Sequence, residues 1–186
     1  MSIKPSDPFS PLDQLLTRAV PPRYDSLAEA ESEIDALTDG QIVYITADNA
    51  VYLRSGGAWR ALVRPWQSYS ASLSGAPTSS VVARWTQVLN TVHFRFEATL
   101  SGAATGQLQF PLPVPRADTT RRQSVGDAVL WDQSASAGRA WHALIGAGQA
   151  TGVNLIGPNY EIVAATTPWS WASGDQVSVA GTYEAA

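Results

Sequence analysis

The longest regular pattern in the chain is the strict alternation of apolar and polar residues in TVHFRFEATL, residues 91–100. Successive side chains of a β-strand point to opposite faces, so this pattern predicts a strand with one face in a core. The residues expected in that core are Val92, Phe94, Phe96, Ala98 and Leu100. His93, Arg95 and Glu97 are expected on the outward face, either on open surface or in a seam between subunits. Arg95 and Glu97 carry opposite charges and can neutralise each other or cross-strand neighbours there.

Other strand-like runs follow one another through the rest of the chain, separated by turn signals rich in Gly, Ser, Asn and Pro. The runs are QSYSASLS (67–74), VVARWTQVL (81–89), GQLQFPLP (106–113), VGDAVLWD (125–132), GRAWHALIGA (138–147), TGVNLIG (151–157), YEIVAAT (160–166) and DQVSVAGTYEA (175–185). Short strands with a turn signal every 8 to 12 residues or so are typical of antiparallel all-β folds. We therefore expect a mainly β protein, with an antiparallel β-sandwich or jelly-roll-like domain over residues 65–186.

Residues 23–64 have a different pattern, which predicts a small module of one helix and three strands. Ser26 can cap a helix while Glu29 reaches back, and this capping box opens a helix predicted to run through about Leu37. The predicted strands are QIVYIT, AVYLRS and AWRALV, the last two joined by a Gly-Gly turn. The module is expected to be a helix packed with a three-stranded meander.

Residues 1–22 predict an extended N-terminal anchor that contains a short amphipathic helix. Ser10 can cap this helix and Pro11 suits its first position. Apolar residues then recur at helical spacing: Leu12, Leu15, Leu16 and Ala19. Because so short a helix is not stable alone, it must dock on this protein or on a partner, and the Pro-rich flanks favour a partner. Leu12, Leu15 and Leu16 are the candidate docking residues.

Composition narrows the classes of function. The 186 residues include no cysteine, which excludes disulfides, a thiolate nucleophile and cysteine-ligated zinc. The net charge of −4 disfavours nucleic-acid binding, which needs a basic surface. The sequence has no apolar run of the roughly 18 residues that a membrane span needs, and no secretory signal. We therefore expect a soluble protein, made in the cytoplasm, that binds neither nucleic acid nor membrane.

The residues needed for catalysis or metal binding do not assemble into a motif. A metal shared across strands by His93 and His142 with Asp127 or Asp132 is disfavoured, because two histidines are few for a site that usually takes about four ligands. Both histidines are expected to be half-exposed surface residues. Asp127 and Asp132 lie on opposite parities of one strand, so they cannot flank one glycosidic bond. We predict no catalytic, cofactor-binding or metal-binding residue, and hence no enzyme.

Two further groups of residues are candidates for binding. Arg116, Arg121 and Arg122 form the main basic concentration, which is expected to be a solvated loop rather than a grip for an acidic partner. Among the seven tryptophans, Trp169 and Trp171 are two apart in PWSWA and are predicted to lie on one face, partly exposed. An exposed pair of flat rings is suited to ligand binding, for example of a sugar.

Two stretches resemble proteins of bacteriophage particles. In RYDSLAEAESEIDALTDGQIVYITADNAVYLRSGGAWRAL, a helix precedes a pattern similar to a short module of phage tail and head fibre proteins. The residues at the pattern's positions are Gly40, Val43, Tyr44, Tyr52, Gly57 and Trp59. The second stretch, from NTVHFRFEATLSG to the terminal GTYEAA, resembles the C-terminal β-domain of minor tail and fibre proteins. Together the stretches cover most of the chain.

The resemblance implies a structural protein of the virion that is not an enzyme. It implies attachment to other virion proteins of the tail or capsid through the N-terminus, with Leu12, Leu15 and Leu16 as docking residues. It also implies a homotrimer whose β-domain points outward. Trp169 and Trp171, singled out by their spacing, are then candidates for binding a host-surface glycan. Capsid decoration, a head fibre and a carbohydrate-binding module remain alternatives to a minor tail, tail-fibre or tail-tip protein.

Overall fold

The computed structural model describes residues 21–34 and 37–186, and most of its regular structure is β-strand. This confirms the predicted mainly β class. The chain divides into two compact units, Met1–Arg64 and Pro65–Ala186. The predicted docking residues Leu12, Leu15 and Leu16 lie outside the described residues. In the described part of the chain, no helix has the length and apolar character needed to cross a membrane.

Among its described residues, the first unit combines one helix with four short strands. Its elements are β1 (Arg23–Tyr24), α1 (Leu27–Glu33), β2 (Ile42–Ile45), β3 (Ala50–Ser55) and β4 (Ala58–Val63). The strands β2, β3 and β4 pair as an antiparallel meander, and β1 adds a parallel strand beside β2 that the sequence pattern did not predict. The unit has a core of its own, formed by Ala30, Val43, Ile45, Ala50, Tyr52 and Ala61.

Helix α1 begins at the predicted capping box. The Ser26 hydroxyl accepts a hydrogen bond from the Glu29 amide at 3.1 Å, and the Glu29 carboxylate accepts one from the Asp25 amide. Two amides at the helix start are therefore satisfied by side chains. The helix ends at Glu33, earlier than the predicted Leu37, because Ile34 already has extended backbone.

The hairpin between β3 and β4 turns at two glycines with left-handed backbone, Gly56 at φ +61° and Gly57 at φ +76°. Both amides donate to the Asp39 carboxylate, at 2.9 and 3.1 Å. These bonds favour the charged carboxylate and hold the pKa of Asp39 below its usual value. Asp39 thus joins the chain after α1 to the hairpin turn.

The second unit contains eight strands. They are β5 (Gln67–Ser68), β6 (Thr78–Val88), β7 (Thr91–Leu100), β8 (Gln109–Pro111), β9 (Gln123–Asp132), β10 (Ala137–Ile145), β11 (Gly152–Ile156) and β12 (Gln176–Glu184). Seven of them follow one hydrogen-bonded path in the order β6, β7, β12, β9, β10, β11, β8, and β5 pairs with β6. All the pairings are antiparallel.

The two ends of this path are joined by the segment from 67 to 74. Its first residues pair with β6, where the Tyr69 amide also donates to the Ala83 carbonyl at 3.1 Å. Its last residue, Ser74, bridges to Gln109 of β8, with its amide donating to that carbonyl at 2.8 Å. The segment therefore covers both terminal strands, which would otherwise expose unpaired backbone groups.

Strand β7 has the predicted register. Its apolar residues, Val92, Phe94, Phe96, Ala98 and Leu100, are all at most 4% exposed. Phe96 stacks on Phe110 of β8, with ring centroids 4.4 Å apart and planes 10° apart. Since β8 is at the far end of the strand path from β7, the sheet folds over one continuous core.

Two of the predicted strands are wrong. Residues 160–166 make only two isolated bridges, Ile156 with Ile162 and Ala164 with Thr167. Tyr160 has left-handed backbone, at φ +59°, and its amide donates to Gly157 in a turn, so an extended strand cannot begin there. In the predicted strand 67–74, only β5 is a strand, because the segment pairs with β6 at its start and crosses to β8 at its end. The jelly-roll arrangement stays a prediction.

Candidate functional site

The outward side of β6, β7, β12, β9 and β10 is one exposed surface, which we call the open face. His93, Arg95 and Glu97 lie on it, as predicted from their alternation with the apolar residues of β7. The Arg95 guanidinium donates to the Glu97 carboxylate at 2.7 Å, which confirms the predicted neutralisation between them. Both side chains are well exposed, at 61% and 43%, so water screens this ion pair.

The two histidines are not brought together. His93 pairs with Thr182 of β12, whereas His142 on β10 pairs with Asp127 of β9. Three strand spacings separate β7 from β10, which is about 14 Å in a flat sheet. The hypothesis of a shared metal is therefore wrong on geometry. Across residues 21–34 and 37–186, no three His, Asp or Glu side chains form a group able to hold a metal.

His142 and Asp127 form a hydrogen-bonded pair, with Nδ1 and Oδ1 3.0 Å apart. The histidine side chain is 64% exposed and the aspartate side chain 87%, which confirms the expectation of a surface histidine. A buried Asp-His pair can activate a nucleophile, but this pair is surrounded by water and its charges are screened. Its geometry suits hydrogen bonding to a polar ligand at the surface.

A cleft of about 370 Å³ adjoins His142. Its lining consists of Ser124, His142, Leu144, Ile156, Gly157, Pro158 and Tyr160. The Tyr160 side chain is 77% exposed, in a turn that is fixed by the bond from the Gly157 amide to the Glu161 carbonyl at 2.8 Å. A Cβ at Gly157 would lie 2.6 Å from the Trp141 ring, so only glycine lets this turn pack so closely on the core. The cleft thus presents one exposed aromatic ring, on a turn whose backbone is hydrogen-bonded, beside polar groups.

The predicted tryptophan pair takes a different form. The rings of Trp169 and Trp171 are in contact, with centroids 5.1 Å apart, but Trp171 is only 2% exposed. Its indole N–H donates to the Thr167 carbonyl at 3.1 Å, inside the core. The prediction of a partly exposed pair is therefore wrong for Trp171, because PWSWA is a loop folded onto the core and not a strand with two faces. Only Trp169 remains partly exposed, beneath the Arg139 guanidinium at 5.9 Å.

A buried carboxylate organises the loop that carries these rings. Asp175 is 1% exposed and accepts three hydrogen bonds. One oxygen accepts from the Gln133 amide at 3.0 Å. The other accepts from the Ala172 amide at 2.9 Å and the Trp169 indole at 3.1 Å. The sequence pattern placed Asp175 at the start of a predicted strand, and nothing in it marked the residue as buried.

A buried guanidinium has the same role at the other end of β12. The prediction of a solvated loop is wrong for Arg116, which is 2% exposed. Its nitrogens donate to four backbone carbonyls, those of Thr119, Arg121, Gly146 and Gln149, at 2.7 to 3.4 Å. Because these acceptors are carbonyls of distant loops, no side-chain pattern in the sequence could identify them. Arg121 and Arg122 are exposed, as predicted.

A depression of about 270 Å³ lies beside Arg116, lined by Asp118, Arg121, Arg122, Gln123 and Glu184. Hydrogen bonds from the Thr120 hydroxyl and amide lower the pKa of Asp118. The Arg116 donors already bond to carbonyls, and the depression contains carboxylates of its own. It is therefore poorly suited to binding an anion.

Two tyrosines close the core near this end. The Tyr183 hydroxyl donates to the Val114 carbonyl at 2.7 Å, and burial raises the pKa of Tyr183 to about 12. The Tyr69 hydroxyl donates to the Pro111 carbonyl at 3.2 Å, and burial raises its pKa as well. Both phenols hold the Pro-rich segment after β8 against the core.

Comparison of the chain with protein-family models, curated proteins and solved structures found no match.

Proposed function

We propose that this chain is a structural protein of a bacteriophage particle, of the minor tail, tail-fibre or tail-tip type. In this proposal, residues 1–22 attach the chain to other virion proteins of the tail or capsid. The second unit is displayed outward, where it adheres to a host surface or shields the particle.

The proposal rests on the first unit, whose phage-like residues are the ones that build its fold. Val43 and Tyr52 are in its core, at 0% and 4% exposed. Gly40 and Gly57 have left-handed backbone, at φ +93° and +76°, where glycine is favoured. The Trp59 ring lies beneath the Arg54 guanidinium at 5.6 Å. The stretch is thus a small module with its own core, as expected of a unit that is reused between virion proteins.

The second unit supports the same proposal through its rigidity. Its loops are tied to the sheet by buried polar groups at both ends, and Arg116 and Asp175 are the charged members. A rigid domain on an N-terminal attachment segment suits display from a particle that carries many identical copies. Weak contacts from those copies then add through their high local concentration.

The attachment role predicts that removal of residues 1–22 abolishes incorporation into the particle. The chain is expected in gradient-purified particles, and the truncated chain is expected to fold but to be lost from them. Replacing Leu12, Leu15 and Leu16 together with serine should have the same effect, because it removes the apolar stripe that docks. Quantitative mass spectrometry of purified particles measures the copy number.

The matched control replaces Asp13 and Gln14, between those leucines, with serine, and full incorporation is expected. Truncated protein that incorporates at full copy number would show that attachment lies elsewhere. Antibody labelling on intact particles separates a tail protein from the alternative, a capsid decoration or head fibre protein. Absence of the full-length chain from particles would reject the virion proposal itself.

A second candidate function, carbohydrate binding, is favoured by the cleft beside Tyr160. An exposed aromatic ring can stack on the apolar face of a sugar, while His142 and Ser124 can bond to its hydroxyls. We expect Tyr160→Ala to weaken sugar binding by about tenfold, which corresponds to roughly 1.4 kcal/mol of stacking energy. Binding is measured on a glycan array and by NMR titration of the full chain.

The matched control for this test is Trp131→Ala, which removes an exposed ring that does not line the cleft. It should leave sugar binding unchanged. If no sugar binds at millimolar concentration, or if both variants lose binding equally, the cleft is not a sugar site. Neither result affects the incorporation experiment.

A further inference from the structure

The charges of the open face are arranged unequally along one row of residues. Arg84, Arg95, Ala180, Asp127 and His142 are successive Cα partners across β6, β7, β12, β9 and β10. Two guanidiniums therefore lie at one end of the row and a carboxylate near the other end. A small alanine on the central strand separates the two signs.

These charges are incompletely satisfied within one copy of the chain. Arg84 and Arg95 are direct cross-strand partners, and like charges in that position repel. Glu97 pairs with Arg95, while Arg84 has no ion pair among the described residues. At the other end, Asp127 bonds only to His142 within the described part of the chain. The row thus has an excess of positive charge at one end and an accessible carboxylate at the other.

The neighbouring row is suited to close contact with another flat surface. This row runs Val82, Glu97, Ser178 and Val129. Both valines are 52% exposed, and the Glu97 carboxylate is already bonded to Arg95. On the central strand β12, the outward residues Ser178 and Ala180 leave room for a second sheet to approach. Five strands and four such rows cover about 20 by 20 Å, or roughly 400 Å² on each copy, which is smaller than a standard specific interface and suits a weak, reversible contact.

We infer that the open face is covered by the open face of a second copy of this chain, in a two-fold contact. A two-fold axis parallel to β12 sets the central strands against each other and β7 against β9 of the other copy. Arg95 of each copy then meets Asp127 of the other, and the contact occurs twice. An isologous interface requires such self-complementarity, and the reversed charge order within one row provides it.

The inference is independent of the proposed function. A two-fold pair differs from the threefold assembly that the resemblance implies, and molar mass separates the two. Tyr160 lies on the loop after β11, which follows β10 in the strand order. The paired strands therefore do not include the loop that carries this ring, but they include His142 on β10, so the second copy and a sugar would compete for that side chain.

Sedimentation equilibrium of the full chain tests the pairing. We expect a reversible dimer with a dissociation constant on the order of 10 μM, as suits a small and partly polar interface. Arg95→Asp and Asp127→Arg should each weaken it by about tenfold or more, since each puts two like-charged pairs into the interface. Arg60→Asp makes the same charge change at an exposed residue of the first unit, and it should leave the dimer unchanged.

A mixing experiment tests the two-fold geometry. When the Arg95→Asp and Asp127→Arg chains are combined, one contact pairs the two new charges and the other pairs the two original ones. A heterodimer about as stable as the original dimer is therefore expected, although neither variant pairs well with itself. If Arg95→Asp does not fold, as judged by circular dichroism, Arg95→Glu replaces it, because it puts the same negative charge opposite Asp127 of the partner copy.

Three results would overturn the inference. The first is a full-length chain that stays monomeric up to about 100 μM, well above the expected dissociation constant. The second is that each variant alone self-associates as the original chain does, or that the two variants give no heterodimer on mixing. The third is a trimer whose stability depends on Arg95 and Asp127, because it would replace the two-fold contact with a head-to-tail one.

Discussion

Replacing Arg116 with methionine is expected to lower the free energy of unfolding by about 3 kcal/mol or more. Methionine fills a similar volume but donates no hydrogen bond, so four buried carbonyls lose their donor at once. Those carbonyls belong to two loops, 119–121 and 146–149, which come together at the end of β12. For a domain of this size, a loss of 3 kcal/mol lowers the melting temperature by roughly 10 °C.

Arg121→Met is the matched control, because it makes the same chemical change at an exposed side chain nearby. Its effect should stay within about 0.5 kcal/mol. Arg116→Lys keeps the charge but cannot reproduce the planar fork of donors, so an intermediate loss is expected. Urea unfolding followed by tryptophan fluorescence measures all three. Equal effects for Arg116→Met and Arg121→Met would mean that the buried hydrogen bonds contribute little.

Three strands were predicted to the residue. The bounds of β3, β4 and β7 match AVYLRS, AWRALV and TVHFRFEATL. In β7, apolar and polar residues alternate strictly, so the sequence itself defines which face is buried. The local pattern is sufficient to predict a strand that has one solvent-exposed face and one buried face.

The failures occur where partners distant in the sequence decide the structure. Residues 160–166 have strand-like composition, but the turn at Tyr160 leaves them only isolated bridges. The segment 67–74 is divided between β6 and β8, and no periodicity reports such a division. The same applies to Trp171, since the pattern PWSWA does not indicate that its loop folds inward. Spacing alone therefore misassigned a core residue as a candidate for binding.

The buried charged residues Asp175 and Arg116 lie at opposite ends of one strand, and the sequence pattern predicted burial for neither. Asp175 immediately precedes β12, and Arg116 bridges to Ala185 just after it. Asp175 binds the loop after β9. Arg116 binds the loop before β9 and the loop after β10. Backbone groups supply most of these partners, so their positions follow from the fold and not from residue type. The central strand β12 is thus fixed at both ends.

Replacing Asp175 with asparagine is expected to lower the free energy of unfolding by about 2 to 4 kcal/mol. The two side chains have nearly the same shape, but asparagine has one acceptor oxygen and one amide group that only donates. The buried site offers three N–H donors and no acceptor, so at least one donor is left facing another donor. Tryptophan fluorescence should also shift, because the Trp169 indole loses a charged partner.

Asp132→Asn is the control that isolates the effect of burial. Asp132 also accepts hydrogen bonds from two backbone amides, those of Ser134 and Ala135, but it lies in an exposed turn. Water can replace those bonds, so its loss should be about 1 kcal/mol or less. Trp169→Phe removes only the indole donor, and its effect should be smaller in an Asp175→Asn background than alone. Equal losses for Asp175→Asn and Asp132→Asn would contradict the argument, since the bonds are similar and only the burial differs.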